Sequence, residues 1–303
     1  MSARAAPETS QISCFSRAGN QLHPSAHTNY PFACLLLRSV LQPALASNPP
    51  TVSVRMTIEN DDDIAALKRI GHIVALTLQR MREAACAGMS TLELDAVGAA
   101  SLREFGARSA PQLTYKFPGA TCISVNEEVA HGIPGTRVLQ DGDLVNVDVS
   151  AELGGYFGDT GGSFAIGVPT PIVRKLCDAT RKAMDTAIDQ ARAGAPFNLL
   201  GRAISKAASE AGFKVIRNLC SHGVGRALHE DPEYIFPFEH PSERRRLSAG
   251  QVITIEPFLS TRSDSIKQSK DGWTLYAPKG NRSAQYEHTL IVTDGAPIIT
   301  TVC

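Results

Sequence analysis

The sequence predicts an α+β fold built from two similar halves. Two predicted helices followed by strands occur between residues 60 and 164, and the same order recurs between residues 170 and 293. The segment Gly142–Asp148 matches Gly250–Glu256 in the order glycine, polar, two apolar, polar, apolar and acidic. Any two amphipathic strands share part of this pattern. The repeated order of elements nevertheless favours a duplicated unit whose halves face each other across a pseudo-two-fold axis.

Helix-start signals open the first half. Asn60 precedes three aspartates, which predicts an N-cap and a helix that runs to about Ala87. Ser90 and Glu93 have the spacing of a capping box, so a second helix is expected over about residues 91–106.

Residues 144–164 predict a β-hairpin with a glycine turn, because apolar and polar residues alternate before the two glycines. A two-residue loop at 153–154 would place Asp148 opposite Asp159. A loop at 154–155 would shift the pairing by two residues and keep both acids on one face. A three-residue loop without a bulge would separate them.

Two carboxylates that share a sheet face repel each other, so one takes up a proton or both bind a cation. A solvated sheet face is the ordinary alternative for such a pair.

The second half repeats the helix pair. Thr170 and Pro171 predict the start of a third helix that extends to about Ala193, and Asn198 predicts the cap of a fourth helix that Gly212 ends. Further strands are predicted around residues 121–125, 214–219, 252–259, 273–277 and 284–293.

Composition limits the class of protein. The 303 residues carry 30 basic and 30 acidic side chains, so the net charge gives no sign of a nucleic-acid or membrane partner. The seven cysteines form no C-x-x-C motif, which favours free thiols in a reducing compartment. No apolar run approaches the ~20 residues that span a bilayer. We expect a soluble, cytoplasmic protein.

Residues 1–55 differ from the rest, with four arginines, no lysine, one acid and several prolines. We expect a disordered extension over residues 1–55 and a folded domain over residues 56–303. A start site placed too far upstream of Met56, or a targeting peptide, would also explain this composition.

Seven short segments occur in an order and with a spacing that are typical of one enzyme family. They are Cys122–Asn126, His131–Pro134, Val145–Asp148, Gly158–Thr160, His222–Gly225, Ile255–Pro257 and Ser283–Thr289. From about Met56 to Val302 the chain resembles the type I methionine aminopeptidases. The resemblance implies the pita-bread α+β fold, whose pseudo-two-fold axis agrees with the duplication.

The resemblance also implies two divalent metal ions as cofactors, with Co, Mn, Fe or Zn as candidates. Their ligands would be Asp148, Asp159, His222, Glu256 and Glu287, with Asp159 and Glu287 bridging the ions. The charges support this, because four carboxylates and one neutral imidazole balance two divalent cations.

The implied chemistry is hydrolysis of the first peptide bond. Glu256 would accept a proton from the attacking water, and His229 would polarise the scissile carbonyl and stabilise the oxyanion. His131 would contact the leaving amide nitrogen. Both histidines would therefore touch the substrate.

The implied pocket for the methionine side chain contains Phe117, Cys122 and Trp273. Thr114 and Leu228 stand where the family often has an aromatic residue. We therefore expect the shape of this pocket to depart from the common one.

The expected function is removal of the initiator methionine from nascent proteins and peptides, by a monomeric enzyme close to the ribosome. An X-Pro aminopeptidase of the same fold is an alternative, although the glycine usual in those enzymes after Glu256-Pro257 is absent. A catalytically inactive paralogue that binds the ribosome or RNA is another. The presence of all five implied ligands argues against it.

Overall fold

The structure is a computed structural model that describes residues 58–303. The predicted extension over residues 1–55 lies outside the described residues. The fold is α+β, as predicted, with two long helices and a set of strands in each half. The helices are α1 (Asp61–Ala84), α2 (Thr91–Glu104), α3 (Ala110–Tyr115), α4 (Pro171–Ile188) and α5 (Phe197–Ala211).

Fifteen strands accompany these helices in the described part of the chain. In the first half they are β1 (Arg108–Ser109), β2 (Cys122–Val125), β3 (Glu128–Ala130), β4 (Leu144–Leu153) and β5 (Tyr156–Ala165). In the second half they are β6 (Lys214–Val215), β7 (Ser221–Gly223), β8 (Glu230–Ile235), β9 (Val252–Ile255), β10 (Phe258–Ser260), β11 (Lys267–Gln268), β12 (Leu275–Tyr276), β13 (Ser283–Gln285), β14 (His288–Ile291) and β15 (Ile298–Ile299).

The β4–β5 hairpin is the centre of the first half. Its two-residue loop is Gly154 and Gly155, and both have positive φ, which glycine adopts without strain. Asp148 therefore lies opposite Gly161, and Asp159 lies opposite Ser150. Of the registers the sequence allowed, this is the one with the loop at 154–155. It keeps both acids on one face, because their positions differ by an even number of pairs.

The helices α1 and α2 cover this hairpin. Val145, Val147 and Val149 on β4 pack against Ile70 and Val74 of α1 in a buried cluster. The other edge of β4 pairs with β2, which sets Cys122 directly opposite Asp148.

The second half contains a five-stranded sheet in the order β15-β14-β9-β7-β8. Helices α4 and α5 pack against each other and bury Leu176, Leu200 and Ile204 together with Ile253 and Ile255 of β9. Amphipathic helices thus cover the sheets of each half.

Hydrogen bonds join the two halves along β5. The Glu287 amide donates to the Gly161 carbonyl over 3.0 Å, and the Thr160 hydroxyl donates to the Glu287 carbonyl over 2.8 Å. The Thr289 hydroxyl accepts from the Asp159 amide and donates to the Asp159 carbonyl. The acids of the two halves are therefore held beside one another by hydrogen bonds from their own main-chain groups to the opposite half.

Both predicted caps of the first half are confirmed. Asn60 forms a capping box with Asp63, and Ser90 forms one with Glu93. The predicted Asn198 cap is wrong. The N-cap of helix α5 is Pro196, two residues before Asn198, and it makes no side-chain cap hydrogen bond. The Asn198 amide instead donates to the carbonyls of His240 and Glu243, because a loop from later in the chain lies there.

Two other boundaries differ for physical reasons. Helix α4 ends at Ile188, before the predicted Ala193, because the chain turns there and the Ala193 amide donates to the Thr293 carbonyl. The strand predicted over residues 252–259 is split into β9 and β10, since Pro257 has no amide proton for a ladder. Within residues 58–303, no helix is long and apolar enough to cross a membrane.

Candidate metal centre

Five polar side chains from both halves converge between the sheets. Asp148 comes from β4, Asp159 from β5, His222 from β7, Glu256 from the break after β9, and Glu287 from between β13 and β14. The ligating atoms of Asp159, His222 and Glu287 lie within 4.8 Å of one another. The His222 Nε2 atom is 3.4 Å from a Glu256 carboxylate oxygen and 3.8 Å from Asp159. The structure thus brings Asp159, His222, Glu256 and Glu287 together, and Asp148 lies close enough to interact electrostatically with these acids.

The imidazole of His222 is held in one tautomer. Its Nδ1 atom lies 2.9 Å from the Gly223 carbonyl, which can only accept, so Nδ1 carries the proton. Burial lowers the pKa of His222 to about 4, and the ring is neutral at neutral pH. The lone pair of Nε2 therefore faces the carboxylates, as a metal ligand requires.

The carboxyl groups resist ionisation while no cation is present. Removal from water raises the pKa of Asp148 to about 6. The same effect, followed by the charges of the neighbouring acids, raises the pKa values of Asp159, Glu256 and Glu287 well above their usual range. A bound proton or a bound cation is needed to stabilise this cluster.

Two carboxylate oxygens in the cluster indicate that a cation would stabilise it better than bound protons do. Among the described residues, Asp159 Oδ1 and Glu287 Oε1 are buried and have no hydrogen-bond partner. Buried polar atoms without partners are costly, and metal coordination is one way in which such atoms are satisfied. Four carboxylates and one imidazole form an oxygen-rich donor set of the kind that divalent Mn, Fe, Co and Zn ions accept. The residues present therefore fit a divalent metal centre.

A buried amide supports Glu287. Gln285 donates from Nε2 to Glu287 Oε2 over 2.9 Å, and its Oε1 atom accepts from Asn146 over 2.7 Å. A Cβ atom on Gly161 would lie 2.4 Å from Gln285 Oε1, so only glycine leaves room for this amide. Neither amide is predicted from the sequence, because nothing in a strand pattern shows which polar residues will meet across the two halves.

Glu256 and His222 are held by a similar set of bonds. The Thr254 hydroxyl donates to Glu256 Oε1 over 3.2 Å and accepts from the His222 amide over 3.1 Å. The Glu256 amide donates to the Ser221 hydroxyl over 2.9 Å. Ligand orientation is thus fixed by residues adjacent to the ligands in sequence.

The other two predicted histidines lie beside the cluster. His131 has φ 54°, which is rare for a residue with a side chain, and such strain concentrates at functional sites. Removal from water, together with the nearby His222, lowers the pKa of His131 to about 4. The ring of His229 lies against that of His222, tilted by 35° with centroids 4.1 Å apart, and its Nδ1 atom is 2.7 Å from the hydroxyl of Tyr115.

The predicted pocket residues comprise an aromatic pair, a buried thiol and the two positions that depart from the family pattern. Phe117 and Trp273 form an edge-to-face pair with centroids 5.2 Å apart. Cys122 is buried, and removal from water, then the charge of Asp148, raises the pKa of its thiol well above the usual range. Thr114 is exposed, and Leu228 is buried in a separate apolar cluster with Ala110 and Phe157. Thr114 is therefore accessible to solvent, and Leu228 is not.

Comparisons with known proteins agree with this geometry. The profile of metallopeptidase family M24 matches residues 65–294. Methionine aminopeptidase 2 of Bacillus subtilis is 47% identical over 247 residues, which are 81% of this chain and 99% of that protein. The methionine aminopeptidase of Escherichia coli is 36% identical over 248 residues, 81% of this chain and 94% of that protein.

Solved structures give the same result. The methionine aminopeptidase of Thermotoga maritima aligns with a TM-score of 0.78 and 31% identity, over 82% of this chain and 99% of that one. The prolidase of Pyrococcus furiosus aligns with a TM-score of 0.66 and 22% identity, over 82% of this chain and 66% of that one. At this identity the likeness to the prolidase shows the fold alone.

The raised carboxyl pKa values predict how the metal-free protein responds to pH. Above about pH 7.5 the unfolded chain has released nearly all of its carboxyl and histidine protons, while the pKa values of folded Asp159, Glu256 and Glu287 are raised well above their usual range. The folded state then binds more protons, so the free energy of unfolding falls as pH rises, by up to about 1.4 kcal/mol per pH unit for each group. We expect the melting temperature of chelator-treated protein to fall as the pH rises above about 7.5. A Glu287→Gln variant should show a shallower fall, and a flat or rising profile in the parent protein would contradict the prediction.

Proposed function

This chain belongs to metallopeptidase family M24, and we propose that it removes the N-terminal methionine from proteins and peptides by metal-dependent hydrolysis. The observation that carries the proposal is the cluster of four carboxyl groups and one neutral imidazole shared by both halves. Its relatives at 35–47% identity are methionine aminopeptidases, and each is covered over nearly its whole length. The chain is a hydrolase of the metallo-exopeptidase class.

We infer that the cluster holds two divalent ions of Co, Mn, Fe or Zn. Asp159 and Glu287 would contact both ions, because each has a buried oxygen without a hydrogen-bond partner among the described residues, in addition to a second oxygen. Asp148 would complete one ion, and His222 with Glu256 the other. When bound, such ions supply Lewis-acid activation of water and of the peptide carbonyl.

The chain's own groups would do the proton transfers. A Glu256 carboxylate, ionised once cations neutralise its neighbours, would take a proton from the attacking water. His131, neutral at pH 7, would contact the leaving nitrogen, and His229 would donate a hydrogen bond to the developing oxyanion. Phe117, Cys122 and Trp273 would surround the methionine side chain, with the edge-to-face aromatic pair forming an apolar wall.

The physiological substrates in this proposal are the N-termini of nascent polypeptides near the ribosome, and the enzyme acts as a cytoplasmic monomer. Support comes from the names of the relatives, the balanced charge, and the five free cysteines among residues 58–303. We propose neither a direct nucleic-acid partner nor a membrane partner.

The alternatives have less support. An X-Pro aminopeptidase shares the fold, but the X-Pro aminopeptidase of Thermotoga maritima is only 20% identical and the chain covers 63% of it. An inactive paralogue that binds the ribosome or RNA would have no reason to keep two unpartnered carboxylate oxygens in a buried cluster.

One assay separates these functions. Purified protein supplied with Mn²⁺ or Co²⁺ is offered the peptide Met-Ala-Ser and, separately, an X-Pro peptide. We expect release of methionine from the first peptide and no cleavage of the second. Cleavage of the X-Pro peptide alone would support the prolidase-like function, and cleavage of neither would support the inactive paralogue.

Removal of one bridging carboxylate should remove bound metal. Loss of a hydrogen bond that merely supports a ligand costs about 10–100-fold in metal affinity, so Asp159→Asn or Glu287→Gln should cost at least about 100-fold. The metal content measured by elemental analysis and the rate of Met-Ala-Ser turnover should both fall. Glu239→Gln, which breaks the exposed ion pair with Arg202, is the control and should keep both. Full metal content in either site variant would refute the proposed ligand set.

His131 should act on turnover without holding metal. His131→Ala is expected to keep bound metal and to lower kcat on the order of 10²–10⁴-fold, because a transition-state contact is lost and no ligand is. Since position 131 has positive φ, His131→Asn keeps a side chain that tolerates this backbone and separates strain from chemistry. His72→Ala, on the exposed face of α1, is the control. Wild-type kcat in both position-131 variants would make His131 a structural residue.

A further inference from the structure

We propose that Tyr115 is a positioning residue that fixes the tautomer of His229. Its hydroxyl group would donate a hydrogen bond to His229 Nδ1 and so keep the ring proton on Nε2. The inference rests on the proposed function, in which His229 must present an N–H group to the developing oxyanion. No motif in the sequence assigns a role to Tyr115.

The contact between the two side chains is short and well defined. The Tyr115 hydroxyl oxygen lies 2.7 Å from His229 Nδ1, the distance of a good hydrogen bond. The two rings meet edge to face at 62°, with centroids 5.7 Å apart. The His229 ring also lies against the His222 ring, tilted by 35° with centroids 4.1 Å apart. The imidazole is thus in contact with both a phenol and a second imidazole.

The direction of this hydrogen bond decides what His229 can do. A neutral imidazole has one N–H group, and the other nitrogen accepts. If Tyr115 donates to Nδ1, the proton must be on Nε2, where it can be given to an oxygen. If Nδ1 held the proton, Nε2 would carry a lone pair and would repel an oxyanion.

The phenol is suited to donate. Removal from water, followed by the negative charge of Asp159, raises the pKa of Tyr115, so its hydroxyl keeps its proton at neutral pH. The phenol O–H is a stronger acid than the N–H of a neutral imidazole. It is therefore the better hydrogen-bond donor of the two.

Tyr115 stands on a fixed support in the first half. It ends α3, whose N-cap Ser109 donates from its hydroxyl to the Ala120 carbonyl over 2.7 Å. The preceding strand β1 pairs with β4, and Ala110 is fully buried. Lys116 then ends the helix with a positive φ of 60°. The hydroxyl position therefore depends on the hairpin that also carries Asp148 and Asp159.

The segment that carries His229 is fixed from the second half. Glu230 accepts at one oxygen from the amides of Arg226, over 2.9 Å, and Ala227, over 3.0 Å. The Arg226 guanidinium group in turn pairs with buried Asp63 at the start of α1. Both partners are thus tied to the fold by neighbouring hydrogen bonds, and the bond between Tyr115 and His229 joins the two halves.

The first test is kinetic and uses the full chain with metal bound. Tyr115→Phe removes only the hydroxyl, and we expect kcat on Met-Ala-Ser to fall about tenfold, the size of one hydrogen bond, with KM, melting temperature and metal content unchanged. Tyr276→Phe, at an exposed tyrosine of β12, is the matched control and should keep wild-type kcat. In a His229→Ala background, Tyr115→Phe should have no further effect, because the two residues act as one unit. An equal loss in both backgrounds would overturn the proposal.

The second test reads the tautomer directly. The protein is labelled with ¹⁵N-histidine and loaded with diamagnetic Zn²⁺, and the His229 signals are assigned by their absence in His229→Ala. We expect the Nε2–H tautomer in the parent protein and a mixture in Tyr115→Phe. An Nδ1–H tautomer in the parent protein, or an unchanged tautomer in the variant, would overturn the proposal. Because this measurement needs no turnover, it distinguishes a wrong tautomer from a wrong function.

Discussion

Mutual repulsion among four buried carboxyl groups is the constraint on which this structure depends. Two like charges 4 Å apart repel by about 4 kcal/mol at an effective dielectric constant of about 20. Several such pairs would exceed the whole stability of an ordinary domain, about 5–15 kcal/mol. Asp159 and Glu287 are buried and their ligating atoms lie within 4.8 Å of each other and of His222. The fold can therefore keep these residues ionised only by binding cations, and its hydrogen bonds are arranged so that the cluster is ready to do so.

The arrangement is made by hydrogen bonds between the main chain of the acids and threonine side chains. Asp159 and Glu287 belong to different halves, yet the carbonyl of Glu287 and the amide and carbonyl of Asp159 are bonded to threonines of the opposite half. Side chains such as Gln285 and Thr254 then orient individual carboxylate oxygens. Since each such residue has partners on both sides, a ligand has little freedom to turn away, which is the preorganisation a metal site needs.

Local sequence patterns predicted the helices and strands. They could not predict contacts between residues that are far apart in the chain. The alternation on β4 and the two glycines were enough to place Asp148 and Asp159 on one face, but the choice between two registers depended on which residues form the turn. The Ser90 capping box is local and was correct. Asn198 has the chemistry of a cap but meets a loop some forty residues later in the chain, as its bond to His240 shows. Tyr115 lies 114 residues from His229, and no pattern within a helix or strand indicates such a pair.

The bonds between Glu287 and β5 have a consequence for how the protein opens. The Glu287 amide proton is bound by the Gly161 carbonyl, and the Asp159 amide proton by Thr289, so neither can exchange with solvent while the halves are together. Separation of the halves would expose both protons and at the same time pull the ligand set apart. Hydrogen–deuterium exchange at these two amides therefore reports the free energy of opening at the centre, without any substrate.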